Sequence, residues 1–157
     1  MMKIDRRALL QGVLSLCVAT PSFASSTGTP AIHVLKSRGC GCCNAWIDIM
    51  RSEGFSITAE DIPPGLLARE KVTRGIPTQL ASCHTALIDG YVVEGHVPAR
   101  DVRRLIADRP DAVGLSVPGM PYGSPGMGPE TEREAYDVLL VLRNGSFEVF
   151  SSYPAAE

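Results

Sequence analysis

Residues 31–37, AIHVLKS, alternate apolar and polar positions and are rich in β-branched side chains, which predicts a strand with one buried face. The period then changes. In CNAWIDIMRSEG (43–54), Trp46, Ile47 and Met50 recur on one helical face and Gly54 supplies a C-terminal stop. FSITAEDI (55–62) returns to a strand pattern and is broken by Pro63-Pro64, after which Leu66 to Thr73 reads as a short helix closing near Gly75. TALIDGYVVEG (85–95) has two strand-like arms around Asp89-Gly90, a hairpin turn pair. Pro98 suits a first helical position, and the following ARDVRRLIADR puts Val102, Leu105 and Ile106 on one face. GLSVPGMPYGSPGMGP (114–129) is too dense in Gly and Pro to be regular and too apolar to be a solvated linker. YDVLLVL and SFEVFSSY flank Asn144-Gly145, which predicts a closing hairpin with positive φ at both central residues. There is no internal repeat.

The order β-α-β-α-β-β-α, with cysteines where the first strand meets the first helix, predicts an α/β, thioredoxin-like fold followed by a Gly/Pro/Met loop and a β-hairpin. In such a fold the loop before the third strand faces the cysteine turn. A strand starting at Thr85 therefore places Cys83 and His84 beside the other cysteines. A rival register takes Ile76-Pro77 as a cis-proline position before a strand from Thr78, which would draw Cys83 into the strand. Matched arms around Asp89-Gly90 favour the first register.

The N-terminus changes the picture of where this domain works. Residues 1–24 have a basic start, an apolar run from Ala8 to Ala19 and the small-residue ending Ser22-Phe23-Ala24, the features of a cleaved secretory signal. Arg6-Arg7 suits the twin-arginine variety. The run is too short to span a membrane, and Cys17 departs with the signal. SSTGTP (25–30) reads as a tether, leaving residues 31–157 as a single metal-binding domain, soluble and periplasmic. The whole chain carries a net charge of −2. Its leader, with Lys3, Arg6 and Arg7 against Asp5, is basic, so the remainder is more acidic still. With no basic stripe or interleaved aromatics, nothing supports nucleic-acid binding.

RGCGCCNAW (38–46) carries the candidate chemistry. The exported domain keeps Cys40, Cys42 and Cys43, clustered at the start of a helix, and the distant Cys83. Free N–H groups and the helix dipole favour thiolates there, but converging thiolates repel one another unless oxidation or a cation removes the charge. Two structural bridges are one outcome. Bridges between near neighbours close almost no loop, however, and a vicinal Cys42-Cys43 pair is strained. A thioredoxin-type Cys40–Cys43 bridge, and with it a thiol–disulfide oxidoreductase, stays open. The metal outcome calls for a soft ion. C-x-C-C with one remote cysteine matches neither the paired knuckles of zinc sites nor iron–sulfur spacing, whereas Cu(I) accepts bridging thiolates and can form a polynuclear cluster.

Further candidate ligands are His84, His96, Met120 and Met127; imidazole and thioether both suit copper, and the methionines equally serve to fill a gap under an apolar loop. His33 lies within the first strand and reads as structural. No carboxylate pair is spaced for acid–base catalysis, and Ser124 sits in a turn sequence rather than a nucleophile elbow.

RGCGCCNAW, SCHTALIDGYVVEGHVP and GLSVPGMPYGSPGM resemble, in that order, the motifs of the CopG-like family of small exported bacterial copper-resistance proteins, long labelled a domain of unknown function. The likeness runs from about Ile32 to Tyr153. It implies a thioredoxin-like fold, a periplasmic location, and copper binding through cysteines that map onto Cys40, Cys42, Cys43 and Cys83. Family members often carry an acidic residue where this chain has Gly128. The expected function is therefore copper resistance or homeostasis through bound Cu(I), with copper redox activity or delivery to a periplasmic copper exporter or oxidase as further expectations.

Overall fold

The computed structural model describes residues 30–157; the expected signal, and all of the expected tether but Pro30, lie outside them. The elements run β1 (Ala31–Lys36), α1 (Gly41–Ser52), β2 (Ser56–Asp61), α2 (Pro64–Thr73), β3 (His84–Ile88), β4 (Tyr91–Glu94), α3 (Ala99–Asp108), β5 (Ala112–Ser116), β6 (Tyr136–Leu142) and β7 (Phe147–Tyr153). The strands form one sheet in the order β2-β1-β3-β4-β5-β6-β7. β1 is parallel to β2, β3 is antiparallel to both β1 and β4, and β4 is parallel to β5.

Alternation along the central strands separates two cores. Val34, Ala86 and Val93 face the apolar sides of α1 and α3, where Trp46, Ile47, Met50, Val102 and Leu105 are buried. Their neighbours Leu35 and Val92 point the other way, Leu35 onto Leu67 of α2 and Val92 into a cluster with Ile76 and Leu80. Ile106, expected on the same face as Leu105, packs at the edge of the larger core.

The strand from His84 confirms the register that leaves Cys83 in the preceding loop, because Thr78–Leu80 forms a 3-10 turn instead of a strand. The structure corrects four expectations. α1 begins at Gly41, so Cys42 and Cys43 belong to its first turn, and Pro98 caps α3 from outside rather than opening it. Only Gly145 of the Asn144-Gly145 pair has positive φ, at 83°; Asn144 Oδ1 instead accepts from the Ser146 N–H at 2.9 Å, so the side chain stabilises a longer turn. Finally, the segment expected to be irregular from Gly114 opens inside a strand, β5. Gly114 sits there at φ 155°, and a Cβ on it would lie 1.7 Å from the Val92 carbonyl oxygen. The glycine is what lets β5 approach β4; it is not a breaker.

Candidate metal centre

Cys40 caps α1 and Cys42 and Cys43 lie on its first turn, while Cys83 arrives from the loop ahead of β3. The parallel β1–β2 pair and the antiparallel β1–β3 pair hold these two segments side by side at one end of the sheet. One sulfur from each of the four cysteines lies within 4.8 Å of all the others. Cys40 and Cys43 are joined as a disulfide, and Cys42 and Cys83 are free. Cys42 Sγ stands 3.6 Å from Cys40 Sγ and 3.7 Å from Cys83 Sγ.

Two histidines complete the constellation. His96 Nε2 is 2.9 Å from Cys83 Sγ, while its Nδ1–H donates to the Pro125 carbonyl at 2.7 Å. That second bond fixes the tautomer, so Nε2 presents its lone pair to the sulfur. His84 is fully buried between Trp46, at 4.5 Å between ring centroids, and His96, at 5.2 Å. Its Nδ1 lies 3.6 Å from Cys83 Sγ, and its Nε2 has no hydrogen-bond partner. A buried orphan of this kind costs about 1–3 kcal/mol. Cys83, His84 and His96 thus form a second group whose ligand atoms lie within 4.8 Å of one another.

Electrostatics keep this end of the molecule neutral. Burial, reinforced by the Cys42 sulfur, pushes the Cys83 thiol up to about 12; a bound cation would reverse that preference. Burial pulls both histidines below their ordinary value near 6.5, His84 the further, with His96 and Lys71 adding to its shift. Unfolded histidines take up protons near that value and these do not, so the unfolded chain binds more protons and stability falls as pH drops below about 6.5. Denaturant titrations of the metal-free protein should show stability falling as pH drops from 7 to 5, by no more than two protons' worth per pH unit. A flat profile between pH 7 and 5 would refute the shifts.

A buried ion pair, which the sequence patterns did not reveal, holds the Cys83 loop. Glu94, fully buried at the end of β4, accepts from Lys71 Nζ at 2.6 Å and from the Ser82 N–H at 2.7 Å on one oxygen, and from the Thr85 hydroxyl at 2.7 Å on the other. Burial raises the Glu94 carboxyl, and these three partners pull it back. The only sequence signal was a lone acidic residue in the apolar arm YVVE, and nothing marked its partner on α2.

The Gly/Pro/Met loop closes over the cluster. Gly119 pairs with Ser82, and the Gly119 N–H donates to the Ala81 carbonyl. Gly126 (φ 85°) lies so close to α1 that a Cβ would meet Trp46 N at 2.7 Å and the Cys42 carbonyl oxygen at 2.9 Å. Met120 and Met127 follow these two anchor points. Met120 is exposed and Met127 half-buried. Ser124 Oγ donates to the Pro121 carbonyl at 2.7 Å, a turn contact, and His33 hydrogen-bonds Thr58 on the neighbouring edge strand.

Two solved structures share this architecture, both described as copper resistance protein CopG. Form 2 aligns with a TM-score of 0.75 and 42% identity over 81% of this chain and 100% of that one. The chain belongs to the CopG family. Form 1 aligns with a TM-score of 0.76 and 41% identity over 82% of this chain and again 100% of the other. A family model described as "Protein of unknown function, DUF411" matches residues 80–127. That block of the CopG-family chain contains Cys83, both clustered histidines and both loop methionines, and leaves out the cysteines of α1. No functionally curated protein matches the chain.

Proposed function

We propose that this protein binds Cu(I) in the periplasm through Cys40, Cys42, Cys43 and Cys83, holding several ions as a thiolate cluster in copper resistance. The convergence of all four sulfurs within 4.8 Å carries the reading. Thiolates gathered so closely require soft cations to neutralise them, and Cu(I) tolerates the low coordination and sulfur bridging that such crowding imposes. The naming of both CopG structures as copper resistance proteins supports the choice of metal. Loading requires the Cys40–Cys43 bridge to be opened, by two electrons and two protons from a dithiol. Reduced protein loaded anaerobically should then carry more than one Cu(I) per chain by native mass spectrometry. Zinc alone, or no metal, would end the proposal.

A second reading rests on the bridge itself. A disulfide between the cap of α1 and its first turn, in a β2-β1-β3-β4 sheet flanked by three helices, supports a thioredoxin-like assignment and thiol–disulfide exchange by Cys40 and Cys43. Metal-free protein should in that case reduce or oxidise a protein disulfide catalytically, and Cys40→Ser should abolish the turnover. Delivery of copper to an exporter or oxidase would appear as transfer to that partner in vitro. We further read residues 31–157 as one exported domain behind a leader cleaved after Ala24, so mature protein should begin at Ser25.

A further inference from the structure

A cleft with a volume of about 480 Å³ opens between α1, the start of α3 and the Gly/Pro/Met loop, and none of the cysteines or histidines lines it. Its walls carry opposite charges. Arg100, the second residue of α3, and Glu53, just past the end of α1, both face the cleft, and Ile49, Pro98 and Pro125 give it apolar surface. We propose that this cleft binds a short peptide in its zwitterionic form, Arg100 taking the terminal carboxylate and Glu53 the terminal ammonium. Metal plays no part in this binding, so the Cu(I) reading stands or falls separately.

Arg100 is held ready for an anion. Its Nε donates to the Tyr153 hydroxyl at 2.6 Å, and its guanidinium lies 4.4 Å over the centre of the Tyr153 ring. Tyr153 is fixed in turn: it is buried, stacked on Tyr136 at 4.7 Å between ring centroids, and its hydroxyl donates to the buried Asp101 carboxylate. Among the described residues the two terminal nitrogens of Arg100 have no hydrogen-bond or ion-pair partner. The forked end of the guanidinium is therefore open and already oriented, which suits a carboxylate and lowers the ordering cost of binding one. Glu53 is the complementary group. Its backbone carbonyl accepts from Arg103, which ties the end of α1 to α3, while its carboxylate has no partner among the described residues. Glu130, the other carboxylate at the cleft, is already paired with Arg133 at 2.6 Å. One uncommitted cation and one uncommitted anion thus share a cavity without satisfying each other. A phosphate or other dianion would meet Glu53 and Glu130 as like charges, which selects a ligand of zero net charge with its charges at opposite ends. The volume falls within the roughly 300–1,000 Å³ of small-ligand sites, room for about two or three peptide residues.

The probe is the dipeptide L-alanyl-L-alanine, titrated into the metal-free protein and followed by amide NMR shifts. It should give saturable shifts at Glu53, Arg100 and Gly126, and bind at least about tenfold more tightly than either its N-acetylated or its C-amidated form. Inorganic phosphate should give no saturable shift there. Arg100→Gln should lose the discrimination against the amide and keep that against the acetylated peptide, and Glu53→Gln should do the reverse. Variants that keep both discriminations would overturn the assignment of the two groups. The wild-type series decides the matter even if a variant does not fold: no saturable shift at the cleft, equal binding of the three peptides, or phosphate binding as tightly as the dipeptide overturns the site.

Discussion

Replacing Cys83 by serine should lower the Cu(I) affinity of the reduced protein by at least about 100-fold, more than the 10–100-fold that outer-shell changes bring. Cys83 is the one sulfur that does not come from the α1 turn, and it lies 3.7 Å from Cys42 Sγ. Without it, the remaining three sulfurs sit within four consecutive positions on one side of the site. Serine is nearly isosteric and Cys83 is only partly buried, so the fold should survive. Competition with a Cu(I) chelator measures the affinity, and circular dichroism checks the fold. Unchanged loading would remove Cys83 from the cluster and confine the copper to the helix turn.

The largest effect on stability is expected at Lys71. Its Nζ meets Glu94 at 2.6 Å and Thr85 Oγ at 3.0 Å, with Glu94 fully buried. Lys71→Met leaves that carboxylate without a countercharge in the interior, a change that typically costs about 3–5 kcal/mol. Adding Glu94→Gln removes the stranded charge while retaining an acceptor for the Ser82 N–H, so the double variant should recover most of the loss. Urea unfolding of both proteins makes the comparison. If the double variant is no more stable than Lys71→Met, the pair is not the source of the loss. The pair also matters to the site, since Glu94 grips Ser82, the residue directly before Cys83. Lys71→Met should accordingly weaken Cu(I) binding without touching any ligand.

Much of the architecture was legible because it rests on local periodicity. The helical spacing of Trp46, Ile47 and Met50, the alternation in β1 and the Asp89-Gly90 turn each report a burial pattern that neighbours in the chain decide. β5 was not legible. Its central Gly114 reads as a loop signal, and only the approach of Val92 turns that residue into a requirement of the sheet. The Asn144-Gly145 turn differed for a related reason, since the Asn144 side chain engages Ser146 and sets a conformation that the residue pair alone does not specify.

The sequence by itself determined the inventory of the site: three cysteines at a helix start, a fourth beside a histidine, and a second histidine ahead of a proline. The spacing within Cys40–Cys43 also made a bridge sterically available, because one helical turn brings the first and fourth positions together. Tertiary structure alone decided that His96 turns Nε2 to Cys83 by giving its other nitrogen to Pro125, 29 residues away. It alone paired Lys71 with Glu94 across 23 residues and laid Gly126 on α1. These contacts depend on pieces of chain brought together by sheet order and core packing, and a linear pattern carries no term for which distant groups will meet.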